Sequence, residues 1–281
     1  MTITIIGCPT ELGLRRERSG VPSGTIHAPD ALRAAGLVER LGALDAGNLS
    51  TPPYDAQKRE GMLNRAAIDV YAETQAAAIS AALDANTFPL ILGGDCSLLL
   101  GSMRALQRRG TYGLVFLDGH TDFYTPATSG TGGVAGMDLA IACGESLVDP
   151  HHVVHLGRRD FEESRQYGGT LPETILDLHL DVVREHGARA TARRALERMQ
   201  ALDGFFIHVD VDVLDEAVMP FVDSPQPGGL TPDELRDILD ELLASSVATA
   251  AEVTIFDPTE DRDGDGARML VEVLAYFRVV K

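Results

Sequence analysis

The sequence predicts one α/β domain, a three-layer α/β/α sandwich with a mainly parallel sheet of about eight strands. Three observations lead to this fold class. Apolar strand-like runs recur along the whole length, helical patterns separate them, and polar residues follow the runs where strands would end. The 281 residues contain no repeat and no linker-like change in composition, so a single domain over residues 1–281 is expected.

Six runs rich in β-branched, aliphatic or aromatic residues are predicted strands. Continuous apolar runs, rather than alternating ones, are typical of parallel strands that are buried on both faces. The runs comprise residues 3–6, 89–92, 114–117, 153–156, 205–211 and 248–255.

Helical spacing of apolar residues fills the intervals between these strands. After Pro29, apolar residues at steps of three from Leu32 to Leu41 predict a first helix. Residues 63–81 predict a longer helix, and residues 192–199 predict another. The sequence Thr-Pro-Asp-Glu at residues 231–234 is a capping box with proline at the first helical position, which predicts a helix start.

The last acidic segment, residues 261–266, formally matches the calcium loop of an EF-hand. A strand rather than a helix precedes it, however, and Arg268 occupies a position that usually needs an apolar side chain. The segment is therefore interpreted as the entry to a terminal helix over about residues 267–277, where negative charge favours the amino end.

The composition restricts the partners and the compartment. A net charge of −18, from 24 Lys and Arg against 42 Asp and Glu, argues against nucleic acid or an anionic membrane and favours a small cationic substrate. Three scattered cysteines are too few for a disulfide framework and suit a reducing compartment. The amino terminus lacks a basic signal-peptide region and no stretch could span a bilayer, so a cytoplasmic protein is expected.

Two short segments carry metal-type ligands at every second position: Asp118-Gly-His120-Thr-Asp122 and His208-Val-Asp210-Val-Asp212. In an extended backbone such residues share one face, and each segment follows an apolar run. Both segments are therefore expected to project ligands from the end of a strand. Carboxylates crowded in this way repel one another unless cations neutralise them, so a bound metal is predicted and two metals are favoured.

Three further motifs complete an ordered set along the chain: Gly94-Asp-Cys96-Ser97, Pro227-Gly-Gly-Leu-Thr231, and Glu252 near Asp257-Pro258. In this order the five motifs resemble the arginase/agmatinase family of manganese ureohydrolases. The resemblance covers nearly the whole chain. A single Asp-x-His motif would be weak evidence for the family, but five motifs in this order are specific to it.

The resemblance implies a centre of two divalent metal ions that activates water for attack on a guanidinium carbon. Asp118 and Asp210 would bridge the metals. Asp122 would complete the ligands of one metal, and His120 with Asp212 would complete those of the other. Such oxygen-rich ligands suit Mn²⁺.

The same resemblance assigns two residues to the reaction. Glu252 would hold the cationic head of the substrate by a charge-assisted hydrogen bond. Asp122 would also orient the attacking water and relay its proton to the leaving amine.

Three positions depart from the family pattern. Cys96 stands where the family has a histidine ligand, and its soft thiolate would shift the metal preference from Mn²⁺ toward Zn²⁺ or Fe²⁺. Ala135 replaces a histidine that serves in proton transfer, and Tyr124 replaces an asparagine that contacts the substrate carboxylate in arginase proper. A substrate that needs less help with proton transfer, such as an N-hydroxylated guanidine, would tolerate these losses. A subgroup of the family that cleaves N-hydroxyarginine is resembled by a set of five elements: Cys96, residues 118–126, Gly136-Met137, residues 142–144 and residues 208–212.

Substrate contacts are predicted from two loops. Tyr124 and Thr131 belong to a long loop rich in Gly, Thr and Ser, which leaves the first ligand segment. Asp160 and Glu162 belong to a stretch that aligns with the family's contacts to a substrate α-amino group. An ion pair between Arg159 and Asp160 is the alternative, structural interpretation.

Several alternatives stay open at this point. Beside an arginine-like or N-hydroxyarginine-like guanidine, the activity could be that of an agmatinase, a formimidoylglutamase or another guanidinoacid hydrolase. The exchanges at Cys96 and Ala135 also suit a metal-binding pseudoenzyme with a regulatory or scaffolding role. His208 is expected to orient Asp210 or to pack, rather than to bind metal. The resemblance further implies a homotrimer or homohexamer.

Overall fold

The computed structural model describes residues 1–16 and 20–277, and this part of the chain contains ten strands. Numbered along the chain, they are β1 (Ile3–Cys8), β2 (Leu44–Asn48), β3 (Lys58–Arg59), β4 (Met62–Leu63), β5 (Phe88–Gly93), β6 (Tyr112–Leu117), β7 (Val153–Leu156), β8 (Leu176–Leu178), β9 (Gly204–Asp210) and β10 (Ala248–Thr254). Eight of them form one sheet in the order β2-β1-β5-β10-β9-β6-β7-β8, and every neighbouring pair is parallel. β3 and β4 form a separate antiparallel hairpin.

Ten α-helices connect the strands within the same described residues. They are α1 (Ala28–Ala34), α2 (Leu37–Leu41), α3 (Arg65–Asp84), α4 (Leu98–Gln107), α5 (Asp138–Gly144), α6 (Phe161–Tyr167), α7 (Leu180–His186), α8 (Ala188–Met199), α9 (Pro232–Leu243) and α10 (Asp265–Leu274). None of the described helices combines the length and the apolar character needed to cross a membrane.

The two faces of the sheet pack into two separate hydrophobic clusters. Leu90 and Val115 lie in the cluster that includes α1, α7, α8, α9 and α10, whereas Ile91 and Phe116 lie in the cluster that includes α3, α4 and α5. Neighbouring residues of one strand thus pack against opposite layers, as the pleat of a strand requires. The predicted three-layer α/β/α fold is confirmed, and the large sheet is parallel throughout.

The middle of the sheet is formed by β5, β10, β9 and β6. β10 is the last strand along the chain, yet it lies between β5 and β9, with Glu252 beside Ile91 on one side and His208 on the other. Because parallel strands end at the same edge of a sheet, the carboxyl ends of these four strands meet. The polar motifs of the sequence follow these strands and therefore lie at this edge of the sheet.

All six predicted strands are present, with ends shifted by at most two residues. The sequence pattern does not predict β2 or β8, the two edge strands. β2 is mostly exposed and contains Gly47, and β8 has only three residues, so neither presents a long apolar run. The β3–β4 hairpin, with two residues in each strand, is missed for the same reason.

The helices also follow the predictions, with one interruption. The predicted first helix is divided into α1 and α2 at Gly36, whose φ of 91° lies in the left-handed region that a helix cannot include. The capping box at α9 is confirmed, with both reciprocal hydrogen bonds between Thr231 and Glu234. Asp261 accepts hydrogen bonds from the amides of Gly266 and Ala267, so the acidic segment leads into α10 as interpreted.

Candidate metal centre

The metal-type residues gather at the carboxyl edge of four adjacent strands. Cys96 follows β5, Asp118 follows β6, Asp210 ends β9, and Thr254 ends β10. Residues separated by more than 100 positions in sequence are thereby placed in contact, as the hydrogen bond between Cys96 and Asp210 shows. The prediction that ligand residues project from strand ends is consistent with this placement.

The two ligand segments are not extended over their whole length, in contrast to the prediction. β6 ends at Leu117, and the following loop turns at Asp122, whose φ of 42° is left-handed. β9 ends at Asp210, after which Val211–Val213 form a 3₁₀ turn. The ligand residues therefore converge because β6 and β9 end side by side, and not because alternate residues of one strand share a face.

Hydrogen bonds join the first segment to the second. The amide of Gly119 donates to Asp212 Oδ1 at 3.1 Å, and His120 Nδ1 lies 2.8 Å from Asp212 Oδ2. The His120 amide donates to Asp118 Oδ1 at 2.6 Å. Asp118, His120 and Asp212 thus form one group, whose ligand atoms all lie within 4.8 Å of one another.

A second group is centred on Cys96. Its thiol donates to Asp210 Oδ2 at 2.8 Å and lies 3.1 Å from the Thr254 hydroxyl. The turn that delivers this cysteine requires Gly94, since a Cβ there would lie 1.8 Å from the carbonyl oxygen of Thr10. Cys96, His208 and Asp210 offer ligand atoms that all lie within 4.8 Å of one another, and all three residues are buried.

Several buried ligand-type atoms have no hydrogen-bond partner in the described part of the chain. Those that belong to the two groups above are Asp118 Oδ2, His120 Nε2 and His208 Nε2. A buried polar atom without a partner costs roughly 1–3 kcal/mol, and crowded carboxylates repel one another in addition. Divalent cations would both coordinate the free atoms and neutralise the charge, so the residues present fit a metal centre.

Four acidic groups of this centre, those of Cys96, Asp118, Asp122 and Asp210, hold their protons tightly when no cation is bound. Burial, reinforced by neighbouring carboxylates, raises the pKa values of Asp118, Asp210 and the Cys96 thiol well above their ordinary values. Burial also raises the pKa of Asp122 to about 7, against the opposing positive charge of His120. Metal binding would therefore displace protons from several groups at once.

Asp138, at the start of α5, is a further buried acid close enough to interact with this centre. Its Oδ1 accepts a hydrogen bond of 2.6 Å from the Leu139 amide, and Oδ2 has no partner among residues 1–16 and 20–277. Burial, followed by the charges of Asp122 and Asp118, raises its pKa well above the ordinary value. Sequence reasoning missed this residue because an aspartate in the first turn of a helix is common and usually exposed.

A cavity of about 340 Å³ opens beside the ligand residues. Its described lining includes five of the six predicted metal ligands, namely Cys96, His120, Asp122, Asp210 and Asp212. The sixth, Asp118, is fully buried beneath them. Ala135, which stands in place of the expected histidine, also lines the cavity, so no imidazole projects from that position.

Arg15 brings a positive charge to the lining of this cavity. Neighbouring Arg16 is bound by Glu11, with an Nη2–Oε1 distance of 2.5 Å, and stacks over the Tyr54 ring. Arg15 is exposed and makes no hydrogen bond or ion pair with any residue that the structure describes. Asp223 also lines this cavity, and sequence reasoning identified neither residue.

The predicted substrate-binding residues fall into two groups. Thr131 lines the cavity, whereas Tyr124, Asp160 and Glu162 are not among its described lining residues. Asp160 instead accepts hydrogen bonds from the amide and the hydroxyl of Thr121, at 2.9 and 2.6 Å, and so supports the first ligand segment. The part of these residues in substrate binding stays a prediction.

The alternative prediction, an ion pair between Arg159 and Asp160, names the wrong arginine. The residue that approaches Asp160 is Arg158, at 3.8 Å, and Arg158 also binds Asp177 at 2.5 Å. The Arg159 guanidinium donates to backbone carbonyls, including that of Asp212 at 2.7 Å. It therefore fixes the segment that follows β9.

Glu252 is fully buried in β10, and both of its carboxylate oxygens have protein partners. His208 Nδ1 lies 2.7 Å from Oε1, and the hydroxyl of Ser102 donates to Oε2 at 2.6 Å. Gln75 Nε2 donates in turn to the Ser102 hydroxyl at 2.9 Å. Glu252 is not among the described lining residues of the cavity, so its predicted contact with a guanidinium would require one of these hydrogen bonds to be exchanged.

Ligand groups at the carboxyl edge of a parallel α/β sheet, beside a cavity, are the arrangement of a metal-dependent hydrolase. The family model for the Arginase family matches residues 1–278, and the chain belongs to this family. Members of the family are binuclear metal-dependent enzymes, and this chain is a metal-dependent hydrolase that acts on C–N amidino bonds.

Individual relatives agree with the family assignment. An arginase of Brucella melitensis is 32% identical over 98% of this chain and 95% of its own length. The solved structure of arginase from Bacillus caldovelox has a TM-score of 0.86 and 26% identity, covering 100% of this chain and 99% of that one. The solved structure of proclavaminate amidino hydrolase from Streptomyces clavuligerus has a TM-score of 0.76 and 25% identity, covering 98% of this chain and 90% of that one.

Proposed function

We propose that this protein is a binuclear-metal amidinohydrolase that cleaves a linear guanidine carrying a carboxylate, either arginine-like or N-hydroxyarginine-like. The products would be a urea-type compound and an amine. The observation that carries the proposal is one cavity whose lining contains both acidic metal-type residues and the Arg15 guanidinium, which makes no ion pair with any described residue.

Six residues would hold the two metals, in the two adjoining groups described above: Cys96, Asp118, His120, Asp122, Asp210 and Asp212. Bound divalent ions lower the pKa of water and so supply a nucleophile at neutral pH. The carboxylates suit Mn²⁺, and the thiol shifts the preference toward Zn²⁺ or Fe²⁺.

Asp122 is the residue best placed to move protons. It lines the cavity, and no imidazole stands at Ala135 to do so. Its carboxyl would orient the attacking water and pass a proton to the leaving amine. A hydroxylated guanidine is less basic than an ordinary one and gives up its proton more readily, which reduces the proton transfer required of this single carboxyl and favours an N-hydroxyarginine-like substrate.

The charges along the cavity support a substrate that is itself charged at both ends. The acidic lining residues suit a guanidinium, and Arg15 suits a carboxylate of the same substrate. Asp223, which also lines the cavity, would accept a hydrogen bond from an α-amino group, and Thr131 would donate one to the carboxylate. Glu252 would assist the guanidinium only after exchanging a hydrogen bond with His208 or Ser102.

Agmatinase activity is the second candidate, because an exposed arginine beside a cavity does not exclude a substrate without a carboxylate. Formimidoylglutamase and other guanidinoacid hydrolase activities belong to the same class of reaction. The homotrimer or homohexamer and the cytoplasmic location stay predictions, which mass measurement in solution and cell fractionation would test.

The experiment that tests the function is a screen of linear guanidines with protein loaded separately with Mn²⁺, Zn²⁺ and Fe²⁺. We expect release of urea or hydroxyurea from a carboxylated guanidine, and loss of at least 100-fold in kcat in Asp118→Asn because a buried ligand loses its charge. Asp181→Asn, at an exposed acid, is the matched control and should keep full activity. A metal-loaded protein inert toward the whole panel would instead support the pseudoenzyme.

A further inference from the structure

His208 is a buried imidazole with one ring nitrogen held by the protein and one left free. It is fully buried on β9, two residues before Asp210 and therefore on the same side of the strand. Nδ1 lies 2.7 Å from Glu252 Oε1, whereas Nε2 has no partner in the described part of the chain. Because a carboxylate only accepts, Nδ1 carries the proton in this contact, and a neutral ring then presents a lone pair at Nε2.

The carboxylate behind this imidazole is itself held in place. The Ser102 hydroxyl donates to Glu252 Oε2 at 2.6 Å, and Gln75 Nε2 donates both to that hydroxyl and to the Leu98 carbonyl, each at 2.9 Å. All of these side chains are buried. The Phe116 ring stacks on His208 with centroids 4.4 Å apart and an angle of 5° between the planes. These contacts fix both the tautomer and the orientation of the ring.

The group around Cys96 lacks an imidazole unless His208 supplies it. A ring nitrogen of His208, the Cys96 sulfur and an Asp210 carboxylate oxygen all lie within 4.8 Å of one another. Two donors on one zinc-sized ion are about 3.3–4 Å apart, so small side-chain shifts would bring the three onto one metal. A metal-bound histidine usually donates its other N–H to a carboxylate, which is the arrangement of His208 and Glu252.

We propose that His208 coordinates the metal held by Cys96 and Asp210, and that Glu252 orients it. The ligand set of this metal then contains sulfur, nitrogen and oxygen, while Asp118, His120 and Asp212 supply only oxygen and one nitrogen to the other group. The inference rests on the proposed two-metal centre. It adds a ligand to that centre and a structural role for Glu252 that does not involve the substrate.

The test measures coordination directly, with purified full-length protein loaded with Mn²⁺. Electron spin-echo envelope modulation should detect nitrogen from two imidazoles in the wild type and from one in His208→Gln. Calorimetric titration should show that His208→Gln weakens one of the two Mn²⁺ sites by 10- to 1,000-fold and leaves the other nearly unchanged. Glu252→Gln should weaken the same site by a smaller factor, about 10- to 100-fold.

His155 is the matched control. It is also fully buried, its ring lies 5.1 Å from the same Phe116 ring, and both of its nitrogens lack partners in the described chain. His155→Gln should keep two nitrogen signals and both Mn²⁺ affinities. If the wild type shows a single imidazole, or if both histidine variants lose metal equally, the inference is wrong. Failure to bind any divalent metal would overturn the proposed function as well.

Discussion

Arg15 differs from the other arginines near the cavity because no carboxylate among the described residues neutralises it. Arg16, its neighbour, is paired with Glu11 and stacked on Tyr54, which holds the loop in place. A guanidinium that lines a largely acidic cavity and pairs with no residue in the described ranges is available to a ligand. The carboxylate of an amino-acid substrate is the group that would use it best.

Arg15→Gln should raise KM for the carboxylated guanidine roughly tenfold, the effect of losing about 1.4 kcal/mol of a charge-assisted hydrogen bond. Inhibition by agmatine, which has no carboxylate, should be unchanged. Steady-state kinetics and inhibition constants would measure both effects. Arg109→Gln is a suitable control, because Arg109 pairs with Asp84 away from the cavity. Equal weakening of both ligands would contradict recognition of a carboxylate by Arg15.

Asp138→Asn should stabilise the metal-free protein. The substitution keeps an oxygen for the Leu139 amide and removes a buried charge that interacts unfavourably with Asp122 and Asp118. We expect the Tm of chelator-treated protein to rise by a few degrees at pH 8. At pH 5 the raised pKa keeps more of the Asp138 carboxyl protonated, so the difference in Tm between the two proteins should be smaller. Calorimetric melting at both pH values would measure the difference in Tm between the variant and the wild type. A difference that is the same at pH 5 and pH 8 would show that Asp138 does not interact with the centre.

At the scale of the elements, how far sequence reasoning succeeds depends on burial. The central strands are buried on both faces and produce continuous apolar runs, so β5, β6 and β9 are predicted to within two residues. The edge strands β2 and β8 produce no such signal.

Sequence reasoning about the candidate metal centre is also limited to what local patterns show. Regular spacing located the residues of the two ligand segments, but neither the turn at Asp122 nor the position of Arg15 follows from spacing. Both depend on contacts between segments that are distant in sequence. His208 illustrates the point, since its partner Glu252 lies 44 residues away on the neighbouring strand.

The start of α9 provides a test of a predicted element. The Thr231 hydroxyl accepts a hydrogen bond of 3.2 Å from the Glu234 amide, and Glu234 Oε2 accepts one of 2.8 Å from the Thr231 amide. Thr231→Ala should lower the free energy of unfolding by about 1 kcal/mol, because an amide of the first turn loses its partner. Thr231→Ser keeps the hydroxyl and should restore most of the loss in chemical denaturation. Equal stability of the alanine variant and the wild type would contradict this role.

At the scale of the whole molecule, the buried acids make the stability of the metal-free protein depend on pH. The native pKa values of Asp118, Asp210 and Asp138 lie well above the ordinary value, and that of Asp122 is about 7. The native state therefore holds more protons than the unfolded state above about pH 4, so stability falls as the pH rises through these values. Asp212 has the opposite effect on stability, because His120 lowers its pKa against the effect of burial. Its contribution to stability is lost only as the pH falls into the acidic range.

The Tm of chelator-treated protein should accordingly decrease between pH 5 and pH 8, by several degrees in total. Saturation with the native metal should remove most of this decrease, because the cations neutralise the ionised carboxylates. Scanning calorimetry in matched buffers, with and without metal, would measure the difference. A metal-free Tm that rises over this pH range would show that the acids are ionised in the native state.

The position of β10 has a consequence for synthesis on the ribosome. Until residues 248–254 have emerged, β5 and β9 have no shared neighbour, and the sheet consists of two halves with unpaired inner edges. β10 therefore joins the halves and brings Cys96 to Asp210, so the group of Cys96, His208 and Asp210 can form only after residues 248–254 have emerged. Chains released early, before residue 248, would expose both inner edges and be substrates for chaperones or aggregation rather than partly active enzymes.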